Sequence, residues 1–209
     1  MVALGFTISA VGVMESDNLG VRSYTDGMAL AVPAGVPLTY EDLQSFPDDG
    51  RRYEIIDGTL IVTPAPAGPH QVVVGALYRV LFAGRRPGTS VLAAPMDFVP
   101  NPTTVLQPDV VVIDAEEALQ PYLSRTPHLV VEVLSPSTRS QDLGSKLLAY
   151  AETGVPAYWI VDPEPPVTLQ AFHLQGAAYQ LVARVVGDER FEPVVPFSVS
   201  IVPSHLREL

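Results

Sequence analysis

The run Leu129-Val130-Val131-Glu132-Val133-Leu134 places a carboxylate inside a segment that otherwise reads as a strand buried on both faces. Asp109, directly after Pro108, leads into the equally apolar Val110-Val111-Val112-Ile113, and Glu54 interrupts Tyr53-Glu54-Ile55-Ile56. An unpaired buried carboxylate is costly, so each of these acids must be paired, protonated or bound to a metal. Two carboxylates on neighbouring strands repel, and a shared divalent cation relieves that repulsion; hard oxygen donors suit Mg²⁺ or Mn²⁺. Lys146 is the only lysine in a chain with eleven arginines. A buried acid beside an arginine is usually a satisfied ion pair. Three acids on apolar strands with one lysine nearby favour a metal-carboxylate site over a structural network.

The elements that must position these groups follow from the pattern. Thr39 and Asp42 have capping-box spacing ahead of a short helix, Tyr40 to Phe46. Arg51 to Val62 is two apolar runs joined by Asp57-Gly58, a hairpin signal. His70 to Gly84 has helical length and ends on glycine. Strands are expected over Ser90–Val99, Val105–Asp114 and His128–Ser135, then a helix from near Ser137 or Thr138 to Gly154, then the strand Pro156–Asp162. Val167 to Val185 reads as a hairpin turning near Gly176. The result is a mixed α/β sheet whose last helix crosses over to a parallel neighbour. On that helix Leu143, Leu147 and Ala151 define a core face, and Lys146 falls about 100° from its centre. At such a border, Lys146→Ala is expected to cost no more than a surface change. Asp142 and Lys146 form an i,i+4 pair, with Tyr150 four residues on.

Pro108-Asp109, Glu132-Val133-Leu134 and Lys146 together resemble the PD-(D/E)xK nuclease superfamily in a variant form. More specifically, the stretches RRYEIIDGTL, QPDVVVID and VVEVLSPSTRSQDLGSKLLAYAETGVPAYWIVDP resemble the restriction endonuclease family often called Uma-two. The likeness runs from about Leu38 to near the C-terminus. It implies a restriction-endonuclease-like αβββαβ core, with an extra N-terminal helix and hairpin and a C-terminal hairpin. It implies Asp109, Glu132 and the Val133 carbonyl as ligands of Mg²⁺ or Mn²⁺, with Glu54 as a further acid of the site. The lysine expected two residues after Glu132 is replaced here by Leu134, and the resemblance moves it to Lys146. His70, Asp142 and Tyr150 are then supporting residues. The activity implied is metal-assisted hydrolysis of phosphodiester bonds in nucleic acid, DNA before RNA, by a homodimer.

Composition sets the limits. With 47% hydrophobic and 17% charged residues the chain is globular, and without cysteine it has neither disulfides nor thiolate chemistry. No apolar run approaches the ~20 residues of a membrane span, and the N-terminus lacks a basic start with a cleavage pattern, so a cytoplasmic protein is expected. Residues 1–36 carry no amphipathic period and are expected to be a poorly ordered extension to one domain, 37–209. A net charge of −11 opposes simple nucleic-acid binding. It favours, as an alternative, a non-catalytic binding or scaffolding protein of the same fold; an enzyme acting on a smaller phosphodiester is a third reading. Arg51-Arg52, Arg85-Arg86, Arg125 and Arg139 are candidates for a basic rim.

Overall fold

The computed structural model describes residues 35–136 and 138–208, so the expected N-terminal extension lies outside the described residues except for Gly35 and Val36. The first helix, α1 (Tyr40–Leu43), opens on the expected capping box. The Thr39 N–H donates to Asp42 Oδ2 at 2.8 Å, and the Asp42 N–H donates back to the Thr39 hydroxyl at 3.4 Å. β1 (Arg52–Ile56) and β2 (Thr59–Thr63) follow as an antiparallel hairpin. Its turn residues Asp57 and Gly58 both have positive φ, 48° and 72°, as a tight hairpin turn of this hand requires. At Gly58 a Cβ would also stand 2.5 Å from that of Pro37.

The long helix α2 (Gly68–Gly84) is followed by β3 (Thr89–Ala93), β4 (Phe98–Asn101), β5 (Thr104–Leu106) and β6 (Val110–Asp114). Two strands expected to be continuous are therefore each broken in two. Pro95 and Pro108 bring no N–H to a ladder, and the chain leaves one sheet after Ala93 and re-enters it at Val110. Between them, β4 and β5 pair with each other and extend the β1–β2 hairpin into a four-stranded sheet, β2-β1-β5-β4.

The rest of the chain completes a six-stranded sheet. β7 (Leu129–Val133) leads through α3 (Arg139–Asp142) and α4 (Ser145–Glu152) to β8 (Ala157–Asp162), then the hairpin of β9 (Thr168–Gln175) and β10 (Ala178–Val186). The order is β10-β9-β8-β7-β6-β3, with β7 and β8 parallel and the other pairs antiparallel. Strand alternation divides the core. Val131, Val133, Trp159 and Val161 pack with α2 on one face. Val130, Tyr158 and Ile160 pack with Ala149 and Tyr150 of α4 on the other. Glu132, between Val131 and Val133, belongs to the α4 side. Among the described residues no helix is long and apolar enough to cross a membrane.

The helix expected to run unbroken from near Ser137 or Thr138 is interrupted at Leu143-Gly144. Gly144 has φ −127° and ψ −96°, and an added Cβ there would stand 2.8 Å from the Ser140 carbonyl oxygen. The break resets the azimuth of everything after it. Leu143 is 43% exposed, while Lys146, Ala149 and Tyr150 form the buried stripe of α4. Lys146 therefore sits on the inward face, not at its border.

Candidate active site

The small sheet, the large sheet and α4 converge on a buried group of charges. Glu54 arrives on β1, Asp109 at the entry to β6, Glu132 near the end of β7, Asp142 at the end of α3 and Lys146 in the first turn of α4. All five are buried. Lys146 is the hub. Its Nζ lies 2.9 Å from Glu54 Oε1, 3.0 Å from Glu132 Oε1 and 3.6 Å from Asp142 Oδ1. The Tyr150 hydroxyl donates to Glu132 Oε1 at 2.8 Å, and the Gln107 N–H donates to Glu54 Oε1 at 2.7 Å.

Asp109 has its own partners. Arg52 Nη1 donates to Oδ1 at 2.8 Å; His70 Nε2 lies 3.0 Å from Oδ2, and the Val133 N–H donates to Oδ2 at 2.8 Å. Burial pushes the Asp109 carboxyl up, but His70, Arg52 and the Val133 N–H overcome it and hold the group down at about 2. Glu132 differs: burial dominates and, despite the Lys146 ammonium, holds its carboxyl well above the usual range. Asp142 is likewise raised by burial, to about 6, against the pull of Lys146. One strongly ionised acid thus stands beside acids that hold protons more readily.

All eight residues singled out in the sequence lie in or beside this group. Glu54, Glu132, Asp142, Lys146 and Tyr150 form one half; Asp109, His70 and Val133 form the other. Arg52 joins them as a partner of Asp109, whereas the sequence placed it in a surface rim. A signal was available, because Arg52 and Glu54 are two apart on a strand and share a face. Arg51 pairs with Asp49, Arg125 with Glu116 and Glu117, and Arg139 with Asp162, while Arg85 lies over the Phe82 ring. A cavity of about 370 Å³ between α2 and the C-terminal segment, lined in part by Arg79, Arg190 and His205, shares no residue with the acidic group.

The donor types fit a hard divalent cation, since Asp109, Glu132, Glu54 and the Val133 carbonyl all offer oxygen. Their present arrangement gives the cation's electrostatic role to protein groups. The Lys146 ammonium lies against Glu54 and Glu132, Arg52 pairs with Asp109, and among the described residues no three acids or histidines are gathered closely enough to hold a metal ion. The mutually repelling, uncompensated carboxylates expected from the sequence are not what the side chains form. Asp109 Oδ1 becomes available to a cation only when Arg52 leaves it.

Titration of Asp142 yields a pH prediction. A carboxyl raised from 3.8 to about 6 on folding contributes stability that is present below its unfolded pKa and lost as pH rises through about 6. Urea melts should therefore show a decline in stability from about pH 4 to 6 that is shallower in Asp142→Asn. Asp109 works in the opposite direction, its contribution lost as pH falls from 3.8 towards about 2. Parallel pH profiles for wild type and variant between 4 and 6 would show that Asp142 is not held protonated by burial.

Comparison with known proteins bears on this geometry. The model of the family described as "Uma2: Putative restriction endonuclease" matches residues 39–202. No curated protein matches the chain. Among solved structures, one described as a putative nuclease belonging to DUF820 from Anabaena variabilis ATCC 29413 superimposes with a TM-score of 0.65 at 19% identity. The match covers 82% of this chain and 98% of the other. At that identity the likeness speaks for the fold alone, which is restriction-endonuclease-like, as the sequence implied.

Proposed function

We propose, from the premise that this chain belongs to the Uma2 family of putative restriction endonucleases, that it hydrolyses phosphodiester bonds of nucleic acid, DNA before RNA, as a metal-dependent endonuclease. The observation that carries the reading is Lys146. A buried ammonium 3.0 Å from Glu132 and 2.9 Å from Glu54, next to the Asp109 group, gathers on one site the residues that the family motif assigns to catalysis.

Asp109, Glu132 and the Val133 carbonyl would hold Mg²⁺ or Mn²⁺, which when bound supplies a water of lowered pKa and polarises the scissile phosphate. The protein groups have separable roles. His70 and the Val133 N–H fix the rotation of the Asp109 carboxylate through Oδ2. Lys146 offsets negative charge that develops on the phosphoryl oxygens or orients the attacking water. Asp142 and Glu54 position that ammonium, and Tyr150 orients Glu132. The reading includes a cytoplasmic homodimer, which sedimentation of the purified protein would test.

The same ion pairs favour a second reading, a non-catalytic binding or scaffolding protein, because each acid of the group has a protein partner already. A cleavage assay on duplex DNA, single-stranded DNA and RNA separates the two. Expected is cleavage with Mg²⁺ or Mn²⁺, none in chelator, and at least about a hundredfold less with Glu132→Gln. Intact substrates under every condition would leave the second reading standing.

A further inference from the structure

Among the described residues, Arg52 and Lys146 are the strong cations of the site, and they differ in exposure. Arg52 lies on β1 in the small sheet, and its side chain remains 14% exposed, against 2% for Lys146. Its Nη1 contacts Asp109 Oδ1 at 2.8 Å, and its charge also acts on Glu132 and Glu54. The two oxygens of Asp109 are held unequally. Oδ2 has two partners, His70 and the Val133 N–H, whereas among the described residues Oδ1 has Arg52 alone. Withdrawal of the guanidinium therefore frees one carboxylate oxygen without releasing the carboxylate.

A guanidinium has a competing preference. Its planar fork matches a phosphate bidentately, and such charge-assisted pairs are strong. A partly exposed arginine on a flexible stem can exchange a carboxylate for a phosphate arriving from solvent. Lys146, buried among three acids, has no such exit.

We propose that Arg52 is a substitute cation that masks Asp109 in the free protein and moves onto a nucleic-acid phosphate, so that substrate binding opens the metal site. The inference rests on the nuclease reading above. Metal and nucleic acid then bind with positive coupling, and linkage makes the coupling reciprocal. A device of this kind keeps the resting protein from holding a charged, ion-loaded centre in the absence of substrate. Arg52 becomes a phosphate-binding residue of the reaction as well as the guard of its metal site.

The test is Mn²⁺ binding, measured by calorimetry and by electron paramagnetic resonance of free Mn²⁺, with and without a phosphorothioate oligonucleotide that resists cleavage. Wild type should bind Mn²⁺ weakly alone and at least about tenfold more tightly with the oligonucleotide. Arg52→Gln should bind Mn²⁺ tightly without it and gain little on its addition. Arg52→Lys, which keeps a charge at Asp109 and guards against misfolding of the neutral variant, should remain weak in Mn²⁺ alone. Equal Mn²⁺ affinity for wild type and Arg52→Gln, or weaker binding by a folded Arg52→Gln, overturns the masking role while leaving the metal site intact. Absence of Mn²⁺ binding in every protein, oligonucleotide present or not, overturns the nuclease reading together with it.

Discussion

Lys146→Ala should lower the free energy of unfolding by roughly 3–5 kcal/mol, the cost of breaking a buried ion pair by removing one partner. That is a large share of the ~5–15 kcal/mol that holds a typical domain together. The reason is the shared arrangement: one ammonium serves Glu54, Glu132 and Asp142, and its loss leaves three buried acids with no cation at their centre. The acids can escape by taking up protons, which fixes the pH dependence. Without the ammonium the folded pKa values of Glu132 and Asp142, already raised by burial, rise further above the unfolded ones, so the stability deficit should be smallest near pH 4 and should widen as pH rises. Lys146→Met separates charge from volume, since its unbranched side chain refills most of the space. Denaturant melts of both variants across that range are the measurement. If Lys146→Met matches wild type at pH 7, charge compensation by Lys146 has been overstated.

A cost of this size reverses the expectation from the helical wheel, and the reason is local. The sequence showed that a helix follows β7, where it stops and that it carries a lysine near three acids. It did not show the break at Gly144. The wheel treated residues before and after the break as one cylinder, so Leu143 seemed to mark the core face when it is exposed, and Lys146 was displaced to the border. Strand continuity failed for a related reason at Pro95 and Pro108, where the missing N–H lets the chain change sheets. The features that were legible had strong local physics. Asp57-Gly58 suits only a few tight turns, Thr39 and Asp42 close a cap, and an acid in a six-residue apolar run must be explained wherever the fold places it. Pairing between distant groups was the least legible. Nothing near Arg52 in sequence announces that its partner is Asp109, because that contact depends on how the small sheet meets the large one.

The most decisive result expected is an asymmetry between Lys146→Ala and Glu132→Gln. Removing one acid leaves Lys146 with Glu54 and Asp142, and burial holds the Glu132 carboxyl well above the usual range. Glutamine is nearly isosteric with the protonated acid and can still accept from Tyr150. Glu132→Gln should therefore cost no more than about 1 kcal/mol in chelator, within the range of one ordinary hydrogen bond. Its effect should appear when metal is supplied. Saturating Mg²⁺ should stabilise wild type by mass action, about 2.7 kcal/mol at a hundredfold excess over the dissociation constant, and should do little for the variant. If Arg52 masks the site, that gain requires either high Mg²⁺ or the Arg52→Gln background, so the same melts are best run in both. A purely structural network predicts the reverse. There Glu132 is a needed counter-charge, its neutralisation costs roughly 3–5 kcal/mol in chelator, and wild type ignores Mg²⁺ in either background. Thermal melts of the four proteins, with chelator and with Mg²⁺, tell the two apart. A Glu132→Gln protein that melts far below wild type in chelator, beside a wild type and an Arg52→Gln protein indifferent to Mg²⁺, would make these acids part of the fold's framework and leave no metal-dependent chemistry for them to do.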